Sequence, residues 1–130
     1  MDQDNVGVVR GMYEAFARGD LPAVLAGLDP EVRWIEAAGF PGIGGVHIGP
    51  AAVAQVLTVL AAEWDGFKIV PQEYLGNGDR VVVLGESSGR HKSTGKEFRS
   101  PFAHALVVRD GRIAEWQAFI DTALARDAAK

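Results

Sequence analysis

Four side chains of this 130-residue chain are of types that move protons: Tyr13, Glu36, His104 and Asp121. Three of them follow an aromatic residue at a spacing of two: Glu36 after Trp34, His104 after Phe102, Asp121 after Phe119. In a strand, that spacing puts both side chains on one face. A carboxylate among aromatic rings loses hydration, and its pKa rises toward the value a general base needs near neutrality. A fixed histidine or tyrosine beside it donates a hydrogen bond to a developing oxyanion. Together these types suit general acid/base chemistry. Each also has a plain structural use. His104 serves equally as a core histidine bonded to Gln117, and Asp121 as the N-cap of a C-terminal helix. Glu36 serves as a solvated strand-end carboxylate, and Tyr13 as a core ring with its hydroxyl at the rim.

Other chemistry finds less support. The chain has no cysteine, which excludes disulfides and thiolate metal sites. His47, His91 and His104 lack metal-ligand spacing, so no metal is expected. The stretch GRHKSTGK, Gly89 to Lys96, has a phosphate loop's residue types, but its spacing is one residue too long and Glu97 stands where Ser or Thr is needed. A net charge of -4 without a basic cluster argues against nucleic acid. The start, MDQDNVGVV, does not read as a secretory signal. The longest apolar stretch, Ala51 to Trp64, is short of the ~20 residues that span a bilayer. A soluble, cytoplasmic protein with no membrane partner and no cofactor is expected. With 48% hydrophobic residues, the chain has enough for a packed core in one domain over residues 1–130.

The elements that must position these residues follow from pattern. In NVGVVRGMYEAFAR, residues Val9, Met12, Tyr13 and Phe16 share one helical face, with Asp4 or Asn5 as cap. Asp20 caps a short second helix with Pro22 in its first turn. EVRWIEA is a strand with Val32, Trp34 and Glu36 on one side. AGFPGIGGVHIGP reads as a loop, and Gly49-Pro50 opens a third helix ending near Trp64. Four strands follow: FKIVPQEYL, whose proline predicts an edge or a bulge, then RVVVLGESSG, EFRSPFAHALVV and RIAEWQAFI. The tail DTALARDAAK is a short helix. Helices followed by a meander describe an α+β fold.

Asp110-Gly111 is a strong hairpin turn. Counting outward from it, His104 lies opposite Gln117 and Phe102 opposite Phe119. Alternation then puts Phe102, His104, Leu106, Gln117, Phe119 and Asp121 on one face, and Ala103, Ala105, Trp116, Ala118 and Ile120 on the other. A bulge would shift this assignment. Apolar walls with a few fixed polar groups are what a ligand pocket needs.

Four stretches together resemble the nuclear transport factor 2-like superfamily, in its SnoaL-like and ketosteroid-isomerase-like branch. They are YEAFARGDLPAVLAGLDPEVRWIE, GVHIGPAAVAQVL, NGDRVVVLGESSGRHKSTGKEF and PFAHALVVRDGRIAEWQAFIDTA. The resemblance implies a cone-shaped, curved mixed β-sheet, a half-barrel, wrapped around three helices of the N-terminal half and enclosing an apolar cavity. It also implies a homodimer through the outer sheet face. By position, Glu36 falls where ketosteroid isomerases keep a carboxylate base, His104 near their acidic oxyanion donor, and Tyr13 within one residue of their tyrosine donor. Asp121 falls where SnoaL-like cyclases carry an acid/base aspartate. The departures are Glu for Asp at the base and His for Asp at the donor. The Arg-x-Asp pair of limonene-epoxide-hydrolase relatives stands here as Glu86-x-Ser88.

The expected function is cofactor-independent acid/base catalysis on a small, mostly apolar carbonyl compound, of isomerase or cyclase type. Catalysis falls to Asp121, His104, Glu36 and Tyr13, and substrate binding to Phe16, Trp34, Phe40, Phe102, Gln117 and Phe119. A non-catalytic ligand-binding or dimerisation module is the alternative. A further one is an epoxide hydrolase or cyclase using Glu36 with Asp121 to activate water.

Overall fold

The computed structural model describes residues 2–130. Its elements run α1 (Asp2–Ala17), α2 (Leu21–Ala26), β1 (Leu28–Glu36), β2 (Gly45–Ile48), α3 (Pro50–Glu63), β3 (Trp64–Asn77), β4 (Arg80–His91), β5 (Glu97–Arg109), β6 (Arg112–Ile120) and α4 (Thr122–Ala128). The strands form one curved, unclosed sheet in the order β2-β1-β6-β5-β4-β3. Only β1 and β6 pair in parallel; β3 to β6 form the antiparallel meander. With helices in the N-terminal half, this is the expected cone-shaped α+β fold.

Local chemistry accounts for most boundaries. The Asp20 carboxylate accepts from the Ala23 amide at 3.2 Å and caps α2. Gly49, at φ 87°, turns the chain into Pro50 at the start of α3. Asp110 and Gly111 both have positive φ, 52° and 75°, as a tight hairpin turn requires. β3 is both an edge strand and bulged, with a register shift between Pro71 and Glu73.

Three expectations are corrected. α1 begins at Asp2, so Asp4 and Asn5 lie inside it; the Asn5 amide instead donates to the Gly78 carbonyl at 2.8 Å. The stretch read wholly as a loop contains β2, which pairs with β1 from Arg33–Ile48 to Glu36–Gly45. The β5–β6 hairpin begins with Arg109 opposite Arg112, but its register then shifts. Val108 pairs with Ile113 and Val107 with Glu115, leaving Ala114 as an extra residue. His104 consequently lies opposite Ala118, and Phe102 opposite Ile120. Every side chain of β6 beyond the bulge changes face.

Two apolar clusters fill the inner side of the sheet. One gathers around α1 and includes Val9, Tyr13, Trp34, Leu106 and Trp116. The other includes Phe40, Leu60, Trp64, Phe98 and Ala125. Leu57 and Ile120 pack against both.

Candidate functional site

A cavity lies at the seam of the two clusters. Its wall takes Tyr13, Trp34 and Trp116 from the first and Phe40, Ile43 and Leu60 from the second. The polar side chains on that wall belong to Tyr13, Glu36, Ser87 and His104, with the indole N–H groups of Trp34 and Trp116. The cavity is narrow. The space open to the centre of a water molecule is about 40 Å³, room for a few waters. A larger ligand is admitted only when wall side chains move. Phe16, Val24 and Leu57 separate it from an apolar groove beside α1, α2 and α3, which they also line.

Strand alternation in β1 turns Val32, Trp34 and Glu36 inward. The Trp34 indole N–H donates to Glu36 Oε2 at 2.8 Å. The second carboxylate oxygen has no hydrogen-bond partner among the described residues. Burial pushes the Glu36 carboxyl up to about 7, against the smaller lowering effect of the Trp34 bond.

The donor side is assembled from three elements. α1 supplies Tyr13, β5 supplies His104 and β6 supplies Trp116. Trp116 Nε1–H donates to Tyr13 Oη at 3.2 Å, and Tyr13 Oη lies 2.6 Å from His104 Nδ1. Burial lowers His104 to about 3, so the ring is neutral. It raises Tyr13 well above its ordinary value, so the phenol keeps its proton. Tryptophan only donates, and the Tyr13 hydroxyl has no other acceptor among the described residues. The phenol proton therefore points at Nδ1, and this assignment puts the imidazole proton on Nε2. That Nε2–H has no partner among the described residues.

Stacking fixes the rings. Trp34 lies on Trp116 at 4.0 Å and 12°, and Phe102 lies on His104 at 4.0 Å and 18°. Gly85, opposite Phe102 across β4 and β5, makes room for this. A Cβ there would meet the Phe102 ring at 2.7 Å and the Val70 carbonyl at 2.3 Å.

The register sets base against donor. β1 and β6 align Trp34 with Trp116 and Ile35 with Gln117, so Glu36 comes level with Ala118, which faces His104. Glu36 and His104 thus stand two strands apart, roughly 10 Å between backbones, with both side chains turned to the cavity.

Of the residues expected from sequence, Tyr13, Phe16, Trp34, Glu36, Phe40 and His104 line the cavity. Phe102 backs His104 from behind the wall. Gln117 and Phe119 do not belong to this face: the bulge turns them outward, and Phe119 is 52% exposed. The partner of His104 is Tyr13 rather than Gln117. Asp121 is exposed, and its carboxylate accepts from the Ala123 amide at 3.1 Å as the N-cap of α4. It is not among the residues that line the cavity with Glu36, so the water-activating carboxylate pair is not assembled there. Among the described residues no three metal-ligating side chains converge, and no helix is long and apolar enough to cross a membrane.

Sequence reasoning missed Trp116 and Ser87. Trp116 was legible only through the bulge, whose one trace is the unalternating run Leu106-Val107-Val108, buried throughout. Ser87 carries no signal beyond its place in the alternation of β4.

The family model described as the SnoaL-like domain matches residues 9–116. An NTF2-like protein from Burkholderia thailandensis E264 is similar in structure, with TM-score 0.93, 32% identity and 97% of each chain covered. So is an NTF2-like protein of unknown function from Burkholderia pseudomallei K96243, with TM-score 0.86, 34% identity and 92% of each chain covered. TerC, co-crystallised with polyporic acid, gives TM-score 0.88 at 26% identity, covering 97% of this chain and 98% of its own. None of the curated proteins matches the chain.

Proposed function

Since the chain belongs to the SnoaL-like domain family of the NTF2-like superfamily, we propose that it is an acid/base enzyme acting on a small, mostly apolar carbonyl compound without a cofactor. Glu36 removes a proton from the carbon next to the carbonyl. His104 Nε2–H, held by Tyr13 and Trp116, donates to the oxygen that becomes negative. Proton return at another carbon makes the step an isomerisation; attack of the enolate on a second carbonyl makes it a cyclisation. Trp34, Trp116, Phe16 and Phe40 hold the ligand and exclude water. A homodimer through the outer sheet face completes the proposal.

One observation carries this reading: a single apolar cavity holds both an unengaged carboxylate oxygen and an unengaged neutral N–H donor. The base is also tuned, since a carboxyl at about 7 is half-ionised at neutral pH and far more basic than an exposed glutamate. The co-crystallisation of the similar TerC with polyporic acid favours a small organic ligand. The second reading, a non-catalytic ligand-binding module, is favoured by the narrowness of the cavity.

Hydrogen–deuterium exchange next to the carbonyl of 2-tetralone, followed by NMR at pD 8, separates the two readings. The wild-type protein should accelerate exchange, and Glu36→Gln should lose about a hundredfold or more of that acceleration, the usual share of a general base. Acceleration retained in Glu36→Gln rejects Glu36 as the base. Binding of 2-tetralone beside Trp34 and Trp116 with no exchange establishes the non-catalytic module instead.

A further inference from the structure

The site leaves one polar group without work. Ser87 is 3% exposed and lines the cavity, and its Oγ is buried with no hydrogen-bond partner. The other such atom among the described residues, His91 Nδ1, belongs to a ring that packs on Trp64 outside this cavity. A buried hydroxyl with no partner is destabilising, and native structures keep few of them. On β4, Ser87 stands among Val81, Val83 and Gly85 on the inner face. An apolar residue there would complete the wall at no such cost.

Register gives its place relative to the proton-transfer groups. His104 lies opposite Val83, and Ser87 is four residues further along the same face of β4. That is roughly 13 Å at the standard strand rise. Ser87 therefore sits at the far end of the cavity, beside Ile69, its partner on β3, and near Phe67. Between the two ends the walls are aromatic and aliphatic.

We propose that Ser87 is a substrate-binding residue that hydrogen-bonds a second oxygen function at the end of the ligand remote from the reacting carbonyl. This rests on the reading of Glu36 and His104 as the reacting end. It narrows the substrate class to uncharged, elongated molecules of about two rings, with a carbonyl at one end and a hydroxyl or second carbonyl at the other. Among the described residues the one carboxylate on the wall is Glu36, at the reacting end, so nothing beside Ser87 offsets the cost of burying a charge at the far end. When such a ligand parts the walls, Ser87 Oγ gains the partner it lacks, and discrimination against ligands without the second oxygen follows.

The test uses two probes, 2-naphthol and naphthalene-2,6-diol, with affinity read from quenching of Trp34 and Trp116 fluorescence. The diol should bind wild-type protein about three- to tenfold more tightly than the mono-ol, the share of one neutral hydrogen bond. Ser87→Ala should abolish that advantage, leave the 2-naphthol affinity unchanged, and leave the unliganded melting temperature equal or higher. A Ser87→Ala protein that keeps the diol advantage overturns the proposal, as does one that melts markedly lower, which would show a structural hydroxyl satisfied by water. If neither probe quenches the wild-type protein, the reading of the cavity as a ligand site falls as well. Retention of the diol advantage in Ser87→Ala leaves that reading standing.

Discussion

Glu36 and His104 are buried in one cavity and pull the pH dependence of stability in opposite directions. Folded, Glu36 keeps its proton to about pH 7; its unperturbed value is 4.5. Between those values the native state binds the extra proton, so stability falls as pH rises. Folded, His104 stays neutral down to about 3, whereas its unperturbed value is 6.5. There the unfolded state binds the extra proton, so stability falls as pH drops from 6.5 toward 3. From about 4.5 to 6.5 the two slopes oppose each other. These two groups together predict a plateau across that window, an acid fall due to His104, and a further fall from 6.5 to about 7 due to Glu36. Removing the carboxylate isolates the second effect. Glu36→Gln should be more stable than wild type at pH 8 by on the order of 3 kcal/mol, and nearly equal to it at pH 4.5. Urea unfolding at the two pH values measures the difference. An equal change in both proteins would show that Glu36 titrates as an exposed glutamate does, and a base tuned by burial would be lost with it. In its proposed role as base, the same carboxylate is costly to the fold at the pH where it would act.

At the scale of elements, the site depends on one extra residue. Ala114 is the bulge that turns Trp116 inward and Gln117 and Phe119 outward. Its deletion would rejoin the hairpin in the register expected from simple counting. Trp116 would then leave both the Trp34 stack and the bond to Tyr13, and the parallel pairing of Trp34 with Trp116 would slip. The deletion variant should lose the circular-dichroism couplet of the stacked tryptophans and its cooperative melting; a variant that keeps both would show that β6 does not depend on this register. The bulge also marks the limit of what could be read from sequence. The Asp20 cap, the Gly49-Pro50 start of α3, the Asp110-Gly111 turn and the shared face of Val32, Trp34 and Glu36 were legible because each is decided within a few residues. β2 was not: four residues in a glycine-rich stretch become a strand only because β1 offers an edge. The Trp116–Tyr13–His104 chain was not legible either. Tyr13 meets partners 91 and 103 positions away, through a register that only the pairing of β5 with β6 decides. Placing Asp121 in the cavity failed for a related reason. The chain leaves the sheet at Ile120, and a helix cap competes for the carboxylate there.

At the scale of the whole molecule, the alternation that builds the cavity leaves its complement on the other face of the sheet. One row of paired residues crosses all six strands there: Val46, Ile35, Gln117, Ala105, Val82 and Leu75. Gln117 is its single polar member. Val46 and Ile48 on β2 and Phe119 on β6 are each more than half exposed. Exposed apolar side chains on a broad sheet face mark an interaction surface, and a stable interface needs about 800 Å² from each partner. In the proposed homodimer a second copy of the chain would meet that need with the same face, through a two-fold contact centred on the exposed Phe119. Sedimentation should therefore find twice the 13.9 kDa chain mass, and Phe119→Asp should shift the protein to monomer by placing two carboxylates in an apolar contact. Because Phe119 points away from the cavity, this variant should still bind 2-naphthol with wild-type affinity. A wild-type protein that sediments as a monomer at micromolar concentration would remove the dimer. A Phe119→Asp monomer that no longer binds would mean that the cavity is held in shape from outside, by pairing across the sheet face opposite the site.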